Sequence, residues 1–343
     1  MCPEKRQAGL LLQFLYPGLP AGVFFLALSA FLFWPLPTRW NLWKSLLLAN
    51  SFIGALGCFT LSRRWLVSFW ASALAGTAYG FGPFLLSFRL YHPLAGFSVA
   101  VLPWLFCPAA FWNRYAKPSW AVSLRRLPLL AIPFIFLFLF YWLISQPWLG
   151  PYNLMPATQQ LSKKDIFSIL EFPSTTHAGK IIIGFYANTF ILAVMGLFVY
   201  SFLLRVLVLL PPLLGLVLAF SQPILNVPPI IWIALPMLFL SILAGLGAQA
   251  MAVAGPADRK WILACLLLAA SLAVFCLFSA LIRPEGQEYW APAMMYGLSF
   301  VSTGAVYILC TKQIRLHSLR WLLLGAALAA DLIYTSRTLL SSL

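Results

Sequence analysis

Carboxylates are scarce in this 343-residue chain, which contains seven Asp and Glu in total. Four of them lie in two polar segments, Asp165 and Glu171 in "LSKKDIFSILEF" and Glu285 and Glu288 in "RPEGQEYW". A carboxylate can act as the general base toward a hydroxyl group, or it can bind a hard cation. These four residues are therefore catalytic candidates, and solvated loop charges are the alternative interpretation.

Basic side chains stand beside one pair of these acids and at a seam between two apolar runs. Lys163 and Lys164 precede Asp165, and Arg89 and His92 interrupt the Gly-rich stretch "AGTAYGFGPFLLSFRLYHPL". Lysine and arginine bind phosphate and carboxylate groups. A plain membrane anchor requires no such seam, so we predict a lipid- or phosphate-binding surface here. Ordinary lipid-facing charge is the alternative.

A single acid, Asp331, lies inside the apolar segment "RWLLLGAALAADLIYTSRTLL". On a helix it lies roughly 16 Å beyond Arg320, at 1.5 Å per residue. An ionisable group at that depth should face the bundle interior or a wet cavity. Tyr334 and Thr335, three and four residues further on, are expected to share its face. A structural, hydrogen-bonded Asp is the alternative to a functional one.

The elements that must position these residues are membrane-spanning helices. The chain is 62% hydrophobic and 8% charged, whereas soluble domains carry about a quarter charged residues. Apolar runs near the length of a bilayer-spanning helix, roughly 20 residues, recur from end to end. We therefore predict an all-α, polytopic transmembrane helical bundle that forms a single domain over residues 1–343.

The hydrophobic runs predict about eleven spans, with short connections except for one longer outer loop at 147–180. The seventh span carries Pro211 and Pro212, which predict a kink or partial insertion and leave the count open around 204–228. The predicted spans are 15–34, 41–61, 66–86, 93–112, 127–146, 181–203, 206–221, 229–253, 261–282, 290–311 and 321–340.

The net charge of +15 indicates membrane orientation rather than nucleic-acid binding, because the basic residues concentrate in short loops. Lys and Arg are enriched in cytoplasmic loops and attract anionic lipid. With the N-terminus inside, 14 of the 22 basic residues fall on the inner side, which predicts a C-terminus outside. The inner set is Lys5, Arg6, Arg63, Arg64, Arg114, Lys117, Arg125, Arg126, Arg205, Arg259, Lys260, Lys312, Arg315 and Arg320.

Neither a metal site nor a disulfide framework is predicted. The chain has six Cys and three His. The Cys residues lack CxxC spacing, and the His residues are too widely separated to form a ligand set.

A longer pattern joins five segments of the chain in a fixed order. The first two are "WNLWKSLLLANSFIGALGCFTLSRRW" and "ASALAGTAYGFGPFLLSFRLYHPLAGFSVAVLPWL", followed by "QLSKKDIFSILEFP", "IIIGFYANTFILAVMGLF" and "LPMLFLSILAGLGAQAM". Together, between Trp40 and Met251, they resemble bacterial YfhO-type proteins of the GT-C superfamily, the multispan glycosyltransferases and their relatives. The resemblance implies a GT-C-like fold in the bacterial cytoplasmic (inner) membrane. It also implies an outward cavity for a polyprenyl-phosphate-linked sugar beside Arg89, Tyr91 and His92.

The chain departs from the family pattern where the family places its catalytic acid. The resemblance implies an Asp or Glu in the first outer loop, but that loop is "PLPTRWN" here, and "NVPPIIW" lacks the family's Arg. No family catalytic residue is therefore carried over. The outer carboxylates named above are candidates by elimination, and enzymatic activity and the use of a divalent metal stay undecided.

Three functional hypotheses follow, and each predicts a different arrangement. A GT-C-like protein that binds a polyprenyl-phosphate or other lipid, with or without sugar transfer, predicts outer carboxylates that converge with Arg89 and His92. A catalytically silent scaffold or accessory subunit predicts an apolar flank against other membrane protein subunits. A transporter predicts that Asp331 lines a path open to water.

Overall fold

The computed structural model describes residues 3–33, 42–88, 91–112, 124–146, 148, 187–201, 206–282, 289–311 and 316–341. The regular elements in these ranges are helices, which confirms the predicted all-α class. Short 3-10 helices, Pro229–Ile233 and Pro256–Asp258, precede the tenth and eleventh α-helices. The α-helices are α1 Pro3–Phe33, α2 Leu42–Ser62, α3 Phe69–Gly80, α4 Pro83–Ser87, α5 Pro93–Phe111, α6 Leu127–Leu130, α7 Ile132–Ile144, α8 Ala187–Ser201, α9 Val206–Ala219, α10 Ala234–Val253, α11 Arg259–Ile282, α12 Trp290–Thr311 and α13 His317–Ser341.

Seven helical stretches within the described ranges are long and apolar enough to cross a membrane. The chain is therefore a multi-pass helical membrane protein, as its composition predicts. Shorter apolar helices lie at Gly18–Phe33, Ala187–Val199 and Leu209–Ala219. The count of eleven spans stays a prediction. The seven are Ser45–Ser62, Pro93–Phe111, Leu127–Ile144, Pro229–Val253, Pro256–Ile282, Trp290–Thr311 and His317–Arg337.

The predicted span at 66–86 is a broken helix in the structure. α3 ends at Gly80, and α4 begins at Pro83 after two residues of non-helical chain. Proline has no N–H to donate back to the preceding turn, and it disfavours helical geometry in the residue before it. A Cβ on Gly82 would overlap the carbonyl oxygen of Ala78, so the bend at this position requires glycine.

Helix α10 is the centre of the bundle and packs against α3, α8, α9 and α13. Its closest approach is to α8, where glycines allow backbone-to-backbone contact. A Cβ on Gly196 would overlap the carbonyl oxygen of Leu243, and a Cβ on Gly247 would overlap that of Leu192. Small residues are what permit such close packing between transmembrane helices.

Helices α2, α3 and α5 form a second tightly packed group that adjoins α10 through α3. A Cβ on Gly76 of α3 would lie 2.6 Å from the carbonyl oxygen of Ala55 on α2. A Cβ on Gly245 of α10 would lie equally close, 2.6 Å, to the carbonyl oxygen of Ala71 on α3. The two groups therefore form one continuous core rather than two separate bundles.

Candidate functional site

Most of the predicted site residues lie outside the described residues. Within the described ranges are His92 and Asp331. The residues that lie outside them are the catalytic candidates Asp165, Glu171, Glu285 and Glu288 and the phosphate-binding candidates Arg89, Lys163 and Lys164.

His92 begins α5, and its side chain caps that helix. The Nδ1 atom accepts a hydrogen bond from the Leu94 backbone N–H at 3.3 Å. The next residue is anchored to α2, because the Asn50 side-chain amide donates to the Pro93 carbonyl oxygen at 2.9 Å. Gly96 permits this approach, since a Cβ there would lie 3.0 Å from the Asn50 amide nitrogen. The start of α5 is thus held against the neighbouring helix α2.

Asp331 lies in the interior of the bundle, 1% exposed, on α13. Its Oδ2 atom accepts a hydrogen bond from the Asn188 backbone N–H at 2.9 Å. Asn188 is the second residue of α8, and the first N–H groups of a helix have no partner within the helix. The carboxylate therefore caps the amino end of α8, where the helix dipole favours negative charge.

The polar surroundings of Asp331 are only partly satisfied. Four buried oxygen atoms have no hydrogen-bond partner among the described residues: Asp331 Oδ1, Asn188 Oδ1, Thr189 Oγ1 and Thr335 Oγ1. The Asn188 amide nitrogen does have a partner, the Leu324 carbonyl oxygen at 3.4 Å. We call the group of Asp331, Thr335, Asn188 and Thr189 the Asp331 centre.

The two residues expected to share the face of Asp331 differ from each other. Thr335 is fully buried, whereas Tyr334 is 41% exposed. Residues four apart stack directly along a helix, and α13 buries the side that carries Asp331 and Thr335. Thr335 therefore lies on the buried side of α13 with Asp331, whereas Tyr334 is partly exposed.

The helix ends around the Asp331 centre lead into connections that carry predicted site residues. Ala187, which begins α8 directly after the segment containing Asp165 and Glu171, forms one buried cluster with Cys276 and Tyr296. Cys276 lies six residues before α11 ends at Ile282, and Tyr296 lies six residues after α12 begins at Trp290. The connection between those two helices carries Glu285 and Glu288.

Helix α13 also contacts α4, the short helix that precedes the seam. Leu332, the neighbour of Asp331, shares a buried cluster with Phe81, at the break between α3 and α4, and with Leu86. Leu86 lies one residue before α4 ends at Ser87, and Arg89 follows shortly afterwards. Helix α13, which carries Asp331, therefore contacts α8, α12 and α4, and each of these helices borders a connection that carries predicted site residues.

Asn188 and Thr189 are the functional candidates that the sequence patterns missed. They stand in "YANTF", where a polar segment passes into an apolar helix. Asparagine at such a boundary is typical of a helix start, and this was the available signal. Among the described residues no group of three or more His, Cys, Asp and Glu could hold a metal ion.

The chain matches no known family model, no curated protein and no solved structure.

Proposed function

We propose that this protein is a GT-C-like integral membrane protein that binds a polyprenyl-phosphate or other lipid at the non-cytoplasmic end of its bundle. In this proposal the chain crosses the bacterial cytoplasmic membrane about eleven times, with the N-terminus inside and the C-terminus outside. Sugar transfer from the bound lipid is the activity that such a site would serve.

The observation that carries the proposal is the packing of the segments that resemble the family. Those segments include α2, α3, α4 and α5 in the first half, and α8 and α10 in the second. α2 packs against α3 and α5, and α10 packs against α3 and α8. Segments matched only by their order in the sequence are thus direct neighbours in space, as parts of one inherited unit would be.

The predicted membrane orientation of the chain supports a lipid site at the outer end of the bundle. If α13 begins at the inner face with His317, Asp331 lies ~21 Å along the helix, in the outer half of a hydrocarbon core about 30 Å thick. The connections of α4, α8 and α12 that carry predicted site residues are outer ones in the same orientation. They carry the basic residues suited to a lipid phosphate, Arg89 and Lys163, and the four candidate carboxylates.

The chemistry of transfer would divide between these two sets of residues. An outer carboxylate would accept the proton of an acceptor hydroxyl as that oxygen attacks the sugar. The basic side chains would stabilise the negative charge that develops on the leaving phosphate.

Mass spectrometry of the chain purified in mild detergent tests the proposal. We expect a polyprenyl-phosphate species to copurify with the wild type, and to fall severalfold in Arg89→Gln because the guanidinium no longer pairs with the phosphate. Arg39→Gln, which removes a basic residue from a different predicted outer loop, is the matched control and should retain the lipid.

Two results would contradict lipid binding at the seam. One is the absence of polyprenyl-phosphate from the wild-type preparation, and the other is equal retention by the Arg89 and Arg39 variants. Stoichiometric partner subunits without such a lipid would identify a scaffold instead. If the lipid is present, Glu285→Gln and Glu288→Gln in a sugar-transfer assay then decide whether the protein is an enzyme.

A further inference from the structure

The lipid proposal assigns no role to the four residues of the Asp331 centre. Its four residues come from two helices, and each is at most 2% exposed. Asp331 and Thr335 are one turn apart on the buried side of α13, while Asn188 and Thr189 are consecutive in the first turn of α8. The 2.9 Å hydrogen bond from the Asn188 backbone to Asp331 joins the two pairs.

The unsatisfied atoms of the centre are all oxygens. Asp331 Oδ1 and Asn188 Oδ1 can only accept, and the hydroxyl oxygens of Thr189 and Thr335 carry lone pairs besides their single proton. Leaving a buried polar atom without a partner costs free energy, and leaving a buried charge uncompensated costs far more. Four such atoms on adjoining residues therefore indicate a missing electropositive partner.

The charge balance points to a partner with a single positive charge. Asp331 contributes one negative charge, and no basic side chain forms an ion pair with it in the described part of the chain. The amino end of α8 supplies only a partial positive charge, about half an elementary charge. A divalent ion would leave the buried centre with a net positive charge, whereas a monovalent ion leaves it neutral.

A proton on Asp331 would neutralise the carboxyl group but would satisfy fewer of the oxygens. It forms one hydrogen bond, and the two threonine hydroxyl oxygens would still lack a partner. A hard cation instead accepts several oxygen ligands at once, including carboxylate, amide and hydroxyl oxygens. The number and type of unsatisfied atoms therefore favour a metal cation over a proton.

We propose that the Asp331 centre binds one monovalent cation of the size of Na⁺, with ligands from the Asp331 carboxylate, the Asn188 side-chain carbonyl and the Thr189 and Thr335 hydroxyls. The location suits such a site, because Asp331 lies at the amino end of α8, where it accepts the Asn188 N–H. Broken helices and helix ends form the ion sites of many membrane proteins. The bound cation would tie α13 to α8.

Binding of ²²Na⁺ to the purified full-length chain in detergent is the direct test. Choline chloride replaces NaCl at constant ionic strength, so that non-specific screening is held fixed. We expect saturable binding of about one Na⁺ per chain. A thermal unfolding midpoint measured on the same samples should rise with Na⁺ and not with choline, because a ligand that binds only the folded state stabilises it.

Three variants locate the site. Asp331→Asn keeps the shape of the side chain and removes its charge, and it should abolish saturable Na⁺ binding. Thr335→Val removes one ligand at nearly constant volume and should weaken the apparent affinity on the order of tenfold, as loss of a single site-shaping group does at metal centres. Ser336→Ala is the matched control, since Ser336 is also fully buried but donates its hydroxyl proton to Leu332 within its own helix.

The proposal is overturned if the wild type shows no saturable Na⁺ binding, which would leave Asp331 as a protonated structural residue. It is also overturned if Asp331→Asn binds Na⁺ like the wild type. Should Asp331→Asn fail to fold, Thr335→Val decides, and an affinity equal to that of Ser336→Ala would overturn the assignment. None of these outcomes bears on lipid copurification, so this proposal and the lipid proposal fail independently.

Discussion

At the scale of single residues, the clearest structural role belongs to Arg320, a buried cation where helices end. Its guanidinium donates to the carbonyl oxygens of Ala254 at 2.7 Å and Leu309 at 3.4 Å. These carbonyls belong to the carboxyl-terminal ends of α10 and α12, where backbone acceptors lack partners within the helix and the dipole favours a cation. One side chain therefore donates hydrogen bonds to carbonyl groups at two helix ends.

Replacement of Arg320 by Met should lower the stability of the bundle by about 2 kcal/mol, the scale of losing a buried, charge-assisted hydrogen bond. The physical reason is that the carbonyl groups at the ends of α10 and α12 lose their donor while staying buried. Thermal unfolding of the protein in detergent measures the effect. Lys260→Met, which removes an exposed cation from the first turn of α11, is the control and should change the midpoint little.

An Arg320→Met midpoint equal to that of Lys260→Met would contradict this role of Arg320. The sequence had assigned Arg320 only to the basic inner set, because a charge count says nothing about which carbonyls a side chain reaches. The same limit applies to Asp331. Its depth in an apolar segment was visible in the sequence, but its partner Asn188 lies 143 positions away and requires a folded chain to be found.

At the scale of elements, the third predicted span shows that averaged hydropathy locates an apolar stretch but does not reveal a helix break within it. Helices α3 and α4 together cover most of residues 66–86, and neither is among the described helices long enough to cross a membrane. The break was missed although "GFGPF" contains its cause, the pair Gly82 and Pro83. Averaged hydropathy carries no information about backbone conformation. The conformational preferences of glycine and proline, in contrast, predict a break here.

The glycine contacts between α8 and α10 lead to a prediction at the same scale. Gly247→Ala should destabilise the bundle by about 1–3 kcal/mol, the usual cost of overpacking, because its Cβ would overlap the backbone of α8, which cannot rotate away. Gly325→Ala on α13 is the matched control, since a Cβ there meets no atom within 4 Å.

Alanine is the better helix former by about 1 kcal/mol, so Gly325→Ala should be neutral or stabilising. The thermal unfolding midpoints of both variants, measured against the wild type in one detergent, provide the comparison. Equal effects of the two substitutions would show that helix propensity, rather than close approach of α8 and α10, governs these positions.

At the scale of the whole molecule, the predicted orientation is tested by reporter fusions. With the N-terminus inside, residue 255 follows the eighth predicted span and therefore lies on the inner side. Residue 343 follows the eleventh predicted span and therefore lies on the outer side. We therefore expect green fluorescent protein to fluoresce when fused after residue 255, and alkaline phosphatase to be active when fused after residue 343. Reversed activities at either position would contradict the orientation.

The predicted span at 206–221 determines on which side of the membrane the later connections lie. The sequence predicts a kink or partial insertion at Pro211 and Pro212, and in the structure both prolines lie inside one helix, α9, over Val206–Ala219. If α9 does not cross the membrane, every later connection lies on the opposite side. Green fluorescent protein fused after residue 255 would then not fluoresce. A pattern of charges alone could not settle this, because a short apolar helix fits either arrangement.

Lipid binding at the seam is tested most directly by photocrosslinking of the membrane-embedded protein with a diazirine-labelled polyprenyl phosphate, followed by peptide mapping. We expect labelling to be concentrated in residues 81–94, which include the break and the seam, and to be suppressed by excess unlabelled polyprenyl phosphate. Labelling spread along lipid-facing side chains such as Leu267 and Val274 of α11, and unaffected by the unlabelled lipid, would contradict it.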